Sequence, residues 1–157
     1  MDQYLTRRRM SLVLGGLAAV SADAQTKKTG TAIHQEIDFK TTPARIYEAL
    51  LDAKQFSAAT KDTAEIEPRP GAAFKLFGGR IEGRNVELMP NQRIVQAWRP
   101  AFWPPGVYSI VRFELAARGP EARLVLDHAG FSEDKWEGLN DGWPRMYWDP
   151  LHKYLNA

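Results

Sequence analysis

Three histidines, His34, His128 and His152, are the side chains of this sequence best suited to acid–base chemistry or metal binding near neutral pH. His34 alternates with apolar residues and is therefore expected on the outer face of a strand. His152 lies near the end of the chain, where an imidazole favours the negative end of a helix dipole. Neither has a second ligand at metal spacing, and cysteine is absent. We therefore expect no metal site, no cofactor, no disulfide and no thiol catalysis.

His128 is the histidine that the pattern places in the interior. Leu124, Leu126 and His128 alternate, so a strand that turns both leucines inward turns His128 inward too, near the mouth of any hollow beneath the sheet. Two interpretations stay open. One is a structural histidine hydrogen-bonded to backbone or to Tyr147, and the other is a polar anchor for a ligand headgroup. Asp127 points to the opposite face, so it does not form a catalytic dyad with His128.

The remaining polar residues do not form a catalytic pattern. No serine is flanked by the glycines of a nucleophile elbow. Glu82 and Glu87 lie in one predicted strand at a spacing that, without a bulge, turns them to opposite faces, so they are not a hydrolase carboxylate pair. Gly78-Gly79 lacks the lysine and the strand-to-helix context of a phosphate loop. The sequence therefore favours binding over catalysis.

The elements that position these residues begin with a half-buried strand, predicted over 33–39 from its alternating pattern. Thr42 and Pro43 predict the cap and first position of a short helix. A second short helix is predicted over 52–60, with Phe56 as its apolar anchor. About six strands follow, joined by short turns, and short connections favour an antiparallel meander.

An aromatic, amphipathic helix is predicted to end the domain. Asp141 is its predicted cap, and Pro144 stands in the first turn, where a missing N–H costs little. Pro150 lacks an N–H inside the helix, so we expect a bend near Met146. The predicted apolar stripe comprises Trp143, Tyr147, Leu151, Tyr154 and Leu155.

Together these elements predict an α+β fold, a curved antiparallel sheet of six to seven strands around a long C-terminal helix, with two short helices after the first strand. A curved sheet and a helix differ in shape, so we expect a hollow between them. We expect this hollow to bind a ligand. The same aromatic side chains also suit an ordinary filled core. The predicted ligand-binding walls are Phe74, Leu76, Trp98, Val111, Phe113, Trp143 and Tyr147, with His128 as polar anchor.

The N-terminal segment has the layout of a bacterial export signal. Three arginines precede an apolar run over 11–20, and Ala22-Asp23-Ala24 follows as a small-x-small cleavage site. The run is shorter than the ~20 residues that span a membrane. We expect a periplasmic protein, or a cytoplasmic one if the signal is not functional. The predicted organisation is an export signal of Sec or twin-arginine type over 1–24, a linker over 25–31 and one domain over 32–157.

A family resemblance rests on motifs spread from Ile33 to Leu155. They are Gly71-Ala72-Ala73-Phe74, Gly79-Arg80-Ile81-Glu82-Gly83, Leu88-Met89-Pro90, Arg93-Ile94-Val95-Gln96-Ala97-Trp98-Arg99, Trp103-Pro104-x-Gly106, His128-x-Gly130-Phe131 and Gly142-Trp143-x-Arg145-x-Tyr147-Trp148-x-Pro150-Leu151. In order and spacing they resemble the homologues of the activator of the heat-shock protein 90 ATPase, an AHSA-type family of the SRPBCC, or START-like, helix-grip superfamily. The resemblance implies the helix-grip fold, in which other superfamily members bind lipids, hormones or other apolar ligands beneath the terminal helix.

Three functional hypotheses follow. The first is non-enzymatic binding of a small apolar or amphipathic molecule or lipid in the hollow. The second is a protein-interaction or chaperone-associated module that uses the sheet edge and the apolar loop over 102–105, with Phe102 and Trp103. The third is a cavity enzyme of the cyclase or hydrolase type, which the superfamily includes.

The sequence argues against two classes of partner, nucleic acid and a cytosolic chaperone. A net charge of +2 gives no argument for nucleic acid. The eukaryotic activator has an additional chaperone-contacting domain without a counterpart in this sequence, and an exported protein would not meet a cytosolic chaperone. We therefore expect the fold, more than the co-chaperone role, to carry over.

Overall fold

The structure, a computed structural model, describes residues 29–156. The predicted export signal and most of the predicted linker lie outside the described residues. The architecture is α+β, with one open antiparallel sheet of seven strands in the order β1-β7-β6-β5-β4-β3-β2. The strands are β1 Ala32–Phe39, β2 Glu65–Ile66, β3 Ala73–Leu76, β4 Ile81–Met89, β5 Arg93–Pro100, β6 Ser109–Arg118 and β7 Glu121–Ala129.

The first strand shows why the local pattern predicts the sheet well. Ile33, Ile37 and Phe39 are buried on one face of β1, whereas His34 is exposed on the other. Strand β1 pairs with β7 in a register that sets His34 opposite Asp127. The outward position predicted for His34 is therefore confirmed.

Two short helices follow β1, as predicted: α1 Pro43–Leu51 and α2 Ala53–Thr60. The hydroxyl of Thr42 accepts a hydrogen bond from the Arg45 N–H, and a carboxylate oxygen of Asp52 accepts one from the Gln55 N–H. These two caps satisfy amides that a helix start leaves without partners. Phe56 is fully buried and anchors α2 in the core.

A bulge in β4 changes one prediction. The register with β5 shifts between Asn85 and Glu87, which inserts Val86 as an extra, exposed residue. Glu82 and Glu87 therefore lie on the same, outer face of the sheet, and not on opposite faces. They still do not form a carboxylate pair, because Glu82 is bonded to Arg99 and Glu87 to Arg93.

The terminal helical run begins earlier than predicted. Asp141 is not its cap, since α3 spans Trp136–Trp143 and a single 3₁₀ turn, Glu133–Lys135, precedes it. The indole N–H of Trp136 donates to the carbonyl of Ala32 at 2.9 Å, so a contact with β1 fixes this first turn. Within the described residues, no helix is long and apolar enough to cross a membrane.

Two prolines interrupt the α-helical hydrogen bonding of this run. A π-helical segment, Pro144–Trp148, follows α3, and α4 spans Asp149–Leu155. The N–H of Asp149 bonds to the carbonyl of Pro144, five residues back. The change of geometry surrounds Met146, where the sequence predicts a bend because Pro150 has no N–H.

The amide of Gln35 compensates for the missing N–H of Pro144. That proline leaves the carbonyl of Asn140 without its helical donor, and the Gln35 amide donates to this carbonyl at 3.1 Å. The carbonyl oxygen of the same amide accepts from the indole N–H of Trp148 at 2.7 Å. One side chain of β1 thus bridges Asn140 in α3 and Trp148 at the end of the π-helical segment.

Aromatic rings fill the space between the sheet and the middle of the terminal run. Phe113 lies 5.8 Å from Trp143 and 6.3 Å from Trp148, measured between ring centroids, and both contacts are edge-on. Phe56 and Phe77 meet Tyr147 in the same way, at 5.7 and 5.2 Å. The hollow expected beneath the whole helix is therefore closed at its centre by core packing.

Candidate functional site

An open cavity remains at one end of the helix–sheet interface, with a volume of about 660 Å³. Three parts of the fold surround it: the β3–β4 turn, the end of β5 with the loop after it, and the segment from the 3₁₀ turn to the π-helix. This volume lies in the range of small-molecule sites. The lining residues are Phe77, Gly78, Gly79, Arg80, Ile81, Trp98, Pro100, Ala101, Phe102, Trp103, Asp134, Lys135, Gly138, Leu139, Gly142, Trp143, Arg145, Met146 and Tyr147.

The predicted wall residues are divided between this cavity and the core. Trp98, Trp143 and Tyr147 line the cavity, as do Phe102 and Trp103 of the predicted apolar loop. The other five are buried away from it, and their ligand contacts stay a prediction. These five are Phe74, Leu76, Val111, Phe113 and His128.

The inner wall is a cluster of aromatic rings. Trp98 and Trp143 lie 5.6 Å apart, Trp143 and Tyr147 lie 4.4 Å apart, and Trp103 meets Trp98 edge-on at 6.4 Å. All four side chains are nearly inaccessible to solvent. They give the cavity a rigid, flat-sided and mainly apolar inner surface.

Two glycines keep the helical wall of the cavity open. Gly138 and Gly142 are one turn apart in α3, and no atom lies within 4 Å of a Cβ added at either position. The helix therefore presents bare backbone to the cavity. A side chain placed there would occupy space that is now vacant, without backbone strain.

His128 lies behind this wall and is fully buried. Its Nδ1 accepts a hydrogen bond from the indole N–H of Trp143 at 3.1 Å, so Nε2 carries the proton and donates to the Ser109 hydroxyl at 2.7 Å. Its partners are thus Ser109 and Trp143, not the backbone or Tyr147. Burial lowers the pKa of His128 from 6.5 to about 3, so the imidazole is neutral.

The hydrogen bonds continue from Ser109 to the cavity wall. The Ser109 hydroxyl donates to the carbonyl of Trp98 at 2.9 Å, and the Trp98 indole N–H donates to the Tyr147 hydroxyl at 3.3 Å. Burial raises the pKa of Tyr147 above its usual range, so this hydroxyl stays protonated. The network does not carry an acid–base pair to the cavity. It fixes the orientations of Trp98, Trp143 and Tyr147.

Charged side chains form the rim of the cavity, at its solvent-exposed side. Arg80, Lys135 and Arg145 are cationic, and Asp134 is the anionic member. Lys135 is bonded to Asp134 at 2.6 Å, and Arg80 to Asp62 at 2.6 Å. The rim therefore has an excess of positive charge.

Arg99 organises the loop over 101–108 from beneath, and sequence reasoning did not identify it. Its guanidinium is buried and bonded to the carboxylate of Glu82 and to the carbonyls of Trp103 and Pro104. Its Nε donates to the carbonyl of Val107 at 3.1 Å. The Pro104 carbonyl also accepts from the Val107 N–H, but the carbonyls of Trp103 and Val107 depend on Arg99, so this cation helps to hold the loop conformation.

This arrangement turns Trp103 inward and Phe102 outward. Trp103 is 6% exposed, whereas Phe102 is 84% exposed beside the cavity mouth. Further exposed apolar side chains follow on the same loop and at the start of β6. We call Phe102, Val107, Tyr108 and Ile110 the apolar loop patch.

The other two histidines lie outside the cavity. His34 bonds to Asp127 at 2.7 Å, and this hydrogen bond raises the pKa of the exposed imidazole. His152 bonds to the carbonyl of Asp38 at 3.0 Å. No group of three or more His, Asp or Glu side chains suited to a metal ion is present among residues 29–156.

Comparison with known proteins identifies relatives of this chain. Residues 40–156 match the family described as Activator of Hsp90 ATPase homolog 1-like protein. A Dictyostelium discoideum protein named activator of 90 kDa heat shock protein ATPase homolog is 30% identical over 80% of this chain and 33% of its own length. The human homolog 1 is 26% identical over 72% of this chain and 33% of its own. The chain thus spans about a third of the curated relatives that it matches.

Solved structures share the fold over a greater part of their own length. A Plasmodium falciparum protein described as an Hsp90 activator aligns with a TM-score of 0.75 at 23% identity, over 81% of this chain and 97% of that one. A Mesorhizobium loti protein aligns with a TM-score of 0.68 at 21% identity, over 80% and 96%. The likeness confirms the predicted helix-grip fold.

Proposed function

This chain belongs to the family of Activator of Hsp90 ATPase homolog 1-like proteins, and from that premise we propose that it binds a small apolar or amphipathic molecule in the end cavity. The observation that carries the proposal is a cavity of about 660 Å³ whose inner wall is aromatic and whose polar groups lie at the rim. The helix-grip fold supports it, because the cavity lies between the terminal helical run and one end of the sheet.

The His128 network supports the same proposal. Trp98, Trp143 and Tyr147 are held by hydrogen bonds before any ligand arrives, so a ligand need not order them. Burying about 200 Å² of apolar ligand surface contributes roughly 5 kcal/mol before the entropic cost of association. Dissociation constants of about 0.2 mM or weaker are therefore expected for simple probes.

Tryptophan fluorescence tests the proposal directly, because Trp98, Trp103 and Trp143 line the cavity. Titration with decanol or naphthalene should shift the emission of the wild type and raise its melting temperature. Gly142→Leu should weaken binding at least about tenfold, since the added side chain occupies the cavity. Ala58→Leu, at an exposed position of α2, is the matched control and should bind as the wild type does.

Two results would count against cavity binding. One is a wild type that shows neither an emission change nor a thermal shift with these probes. The other is a folded Gly142→Leu variant that binds them with unchanged affinity, because binding would then occur elsewhere on the protein.

A second candidate function is contact with a chaperone of the Hsp90 type. The names of the curated relatives support it, and so does the name of the P. falciparum protein, of which this chain covers 97%. The apolar loop patch offers a surface for such a contact, because Phe102 is 84% exposed. In this function the partner would be a protein bound at the apolar loop patch, and ligand binding in the cavity would not be required.

The ATPase rate of a purified Hsp90-type chaperone tests this second function. The wild-type chain should raise the rate, and Phe102→Ser should reduce the effect because it removes the most exposed apolar side chain. Val86→Ser, at the exposed bulge of β4, is the matched control. An unchanged rate would remove the chaperone function, whereas equal stimulation by both variants would show that Phe102 is not part of the contact.

Export is also part of the proposal and rests on the basic and apolar residues before Gln25. Fractionation of the native host, followed by N-terminal sequencing, should find a chain that begins at Gln25 in the periplasm. A full-length chain in the cytosol would contradict export and would favour the chaperone function.

A further inference from the structure

We infer that the cavity selects single-chain amphiphiles with an anionic headgroup, of which medium-chain carboxylates are the simplest. The inference rests on the proposed ligand binding and adds the chemistry of the headgroup. Its starting point is the rim, where three cations and one anion line the cavity mouth.

The four charged rim residues are not equivalent. Lys135 is neutralised by Asp134 at 2.6 Å. Arg80 is neutralised by Asp62 at 2.6 Å and also donates to the carbonyl of Phe77. Arg145, in contrast, makes no hydrogen bond, ion pair or ring contact with any residue of the described chain.

The position of Arg145 connects its charge to the apolar wall. It lies in the π-helical segment, next to Met146 and two residues before Tyr147, and all three residues line the cavity. A guanidinium binds a carboxylate through two parallel hydrogen bonds. A carboxylate at Arg145 would leave its alkyl chain facing the apolar lining of the same cavity.

The acidic residues of the neighbouring turns do not offset this charge at the cavity. Glu137 and Asp141 on α3 and Asp149 at the start of α4 are exposed, and none of the three is among the lining residues. A cationic headgroup at the mouth would meet Arg80 and Lys135, which Asp62 and Asp134 neutralise, and the uncompensated charge of Arg145. The rim therefore disfavours cationic amphiphiles and is indifferent to neutral ones.

Three probes with the same alkyl chain separate the headgroup from the tail: decanoate, decanol and decyltrimethylammonium, each below its micelle concentration. Affinities are measured by tryptophan fluorescence and by calorimetry. The wild type should bind decanoate about fivefold more tightly than decanol and should bind the cation most weakly. Added salt should weaken the binding of decanoate, strengthen that of the cation and leave decanol affinity nearly unchanged.

Arg145→Gln should abolish the preference for decanoate and leave decanol affinity within about twofold of the wild-type value. Arg145→Lys should retain part of the preference for decanoate, because the positive charge remains. The rest should be lost, because lysine lacks the two parallel N–H donors of a guanidinium. Arg118→Gln is the matched control, since Arg118 is exposed at the β6–β7 turn and does not line the cavity. It should bind all three probes as the wild type does.

The outcomes separate ligand binding in the cavity from selection of an anionic headgroup. If the three probes bind equally well and Gly142→Leu blocks them all, cavity binding stands and the anionic selection is overturned. If no probe binds, the proposed function fails with it. Binding to anionic phospholipid vesicles without binding of monomeric decanoate would also overturn the inference, because the ligand would then be a membrane surface.

Discussion

The indole N–H of Trp143 donates a hydrogen bond to Nδ1 of His128 across 3.1 Å, and this bond joins the terminal helix to the last strand. Both groups are buried, so neither has water as an alternative partner. The bond also determines which nitrogen of His128 carries the proton, and the other nitrogen donates to Ser109, whose hydroxyl bonds to the backbone carbonyl of Trp98. A contact between Trp143 in the cavity wall and His128 behind it thus orients part of that wall.

Replacing Trp143 by phenylalanine should destabilise the protein by about 1–3 kcal/mol, because Nδ1 of His128 loses its buried donor. Urea denaturation followed by circular dichroism measures the change. Trp136→Phe is a useful comparison, since the Trp136 indole N–H bonds to the carbonyl of Ala32 in a more exposed contact. Equal losses in the two variants would contradict the importance of the buried network.

Stability should fall as the pH is lowered below about 6.5. The pKa of His128 is lowered from 6.5 to about 3 by burial, so the unfolded chain binds a proton that the folded chain refuses. The resulting stability is fully present above pH 6.5 and is lost as the pH falls towards 3. Between pH 7 and pH 4, this single group should cost about 3 kcal/mol of unfolding free energy.

Comparison with His128→Gln isolates this contribution from that of the carboxylates. The variant is expected to be less stable at pH 7, but its unfolding free energy should depend less steeply on pH between about 6.5 and 4. Parallel curves for the two proteins would show that His128 does not titrate as its burial implies.

Removing the Gln35 amide should loosen the π-helical segment. Gln35→Met keeps the length of the side chain but leaves the Asn140 carbonyl and the Trp148 indole N–H without their partner. A loss of about 1–3 kcal/mol is expected, with faster hydrogen exchange in 140–148. Gln92→Met, in the exposed β4–β5 turn, should change neither quantity.

Two glycine substitutions should have opposite effects on stability. Gly142→Ala should stabilise the protein by up to about 1 kcal/mol, because alanine favours the helix and its Cβ meets no atom within 4 Å. Gly83→Ala should be strongly destabilising, since its Cβ would lie 2.0 Å from the carbonyl oxygen of Ala97. Thermal unfolding should show a higher melting temperature for Gly142→Ala and a lower one for Gly83→Ala.

Arg99→Lys should release the loop over 101–108. A lysine keeps the charge but does not reach the carbonyls of Trp103, Pro104 and Val107 together. Limited proteolysis should therefore cleave this loop faster than in the wild type, with Arg112→Lys on the outer sheet face as control. A loop that stays equally resistant would mean that Trp103 packing alone holds it.

The local sequence pattern was sufficient to predict the strands and the first two helices. It also predicted, for most strand residues, whether the side chain points into the core or outward. The alternation through Ile33 and Ile37 fixes which face of β1 is buried, because neighbouring strand residues point to opposite sides. The same rule separates His128 from Asp127, one inward and one outward. Thr42 and Pro43 mark a helix start by chemistry contained within one turn.

The elements that were missed depend on residues far apart in the chain. The helix begins at Trp136 because its indole bonds to Ala32, a contact that outweighs the low helix propensity of Gly138 and Gly142. The bulge at Val86 arises from pairing with β5, and its neighbours alone do not reveal it. The sequence pattern also gave no role to Arg99, whose carbonyl partners lie in a following loop without periodicity and whose carboxylate partner, Glu82, lies on the neighbouring strand.

The position of the cavity was decided by tertiary structure alone. The sequence determined an aromatic helix stripe and a sheet able to face it, and those residue types suit a filled core and a hollow equally well. Whether space remains depends on how three separate segments approach one another. In the folded chain Phe113 closes the centre, whereas the bare backbone of Gly138 and Gly142 leaves one end open.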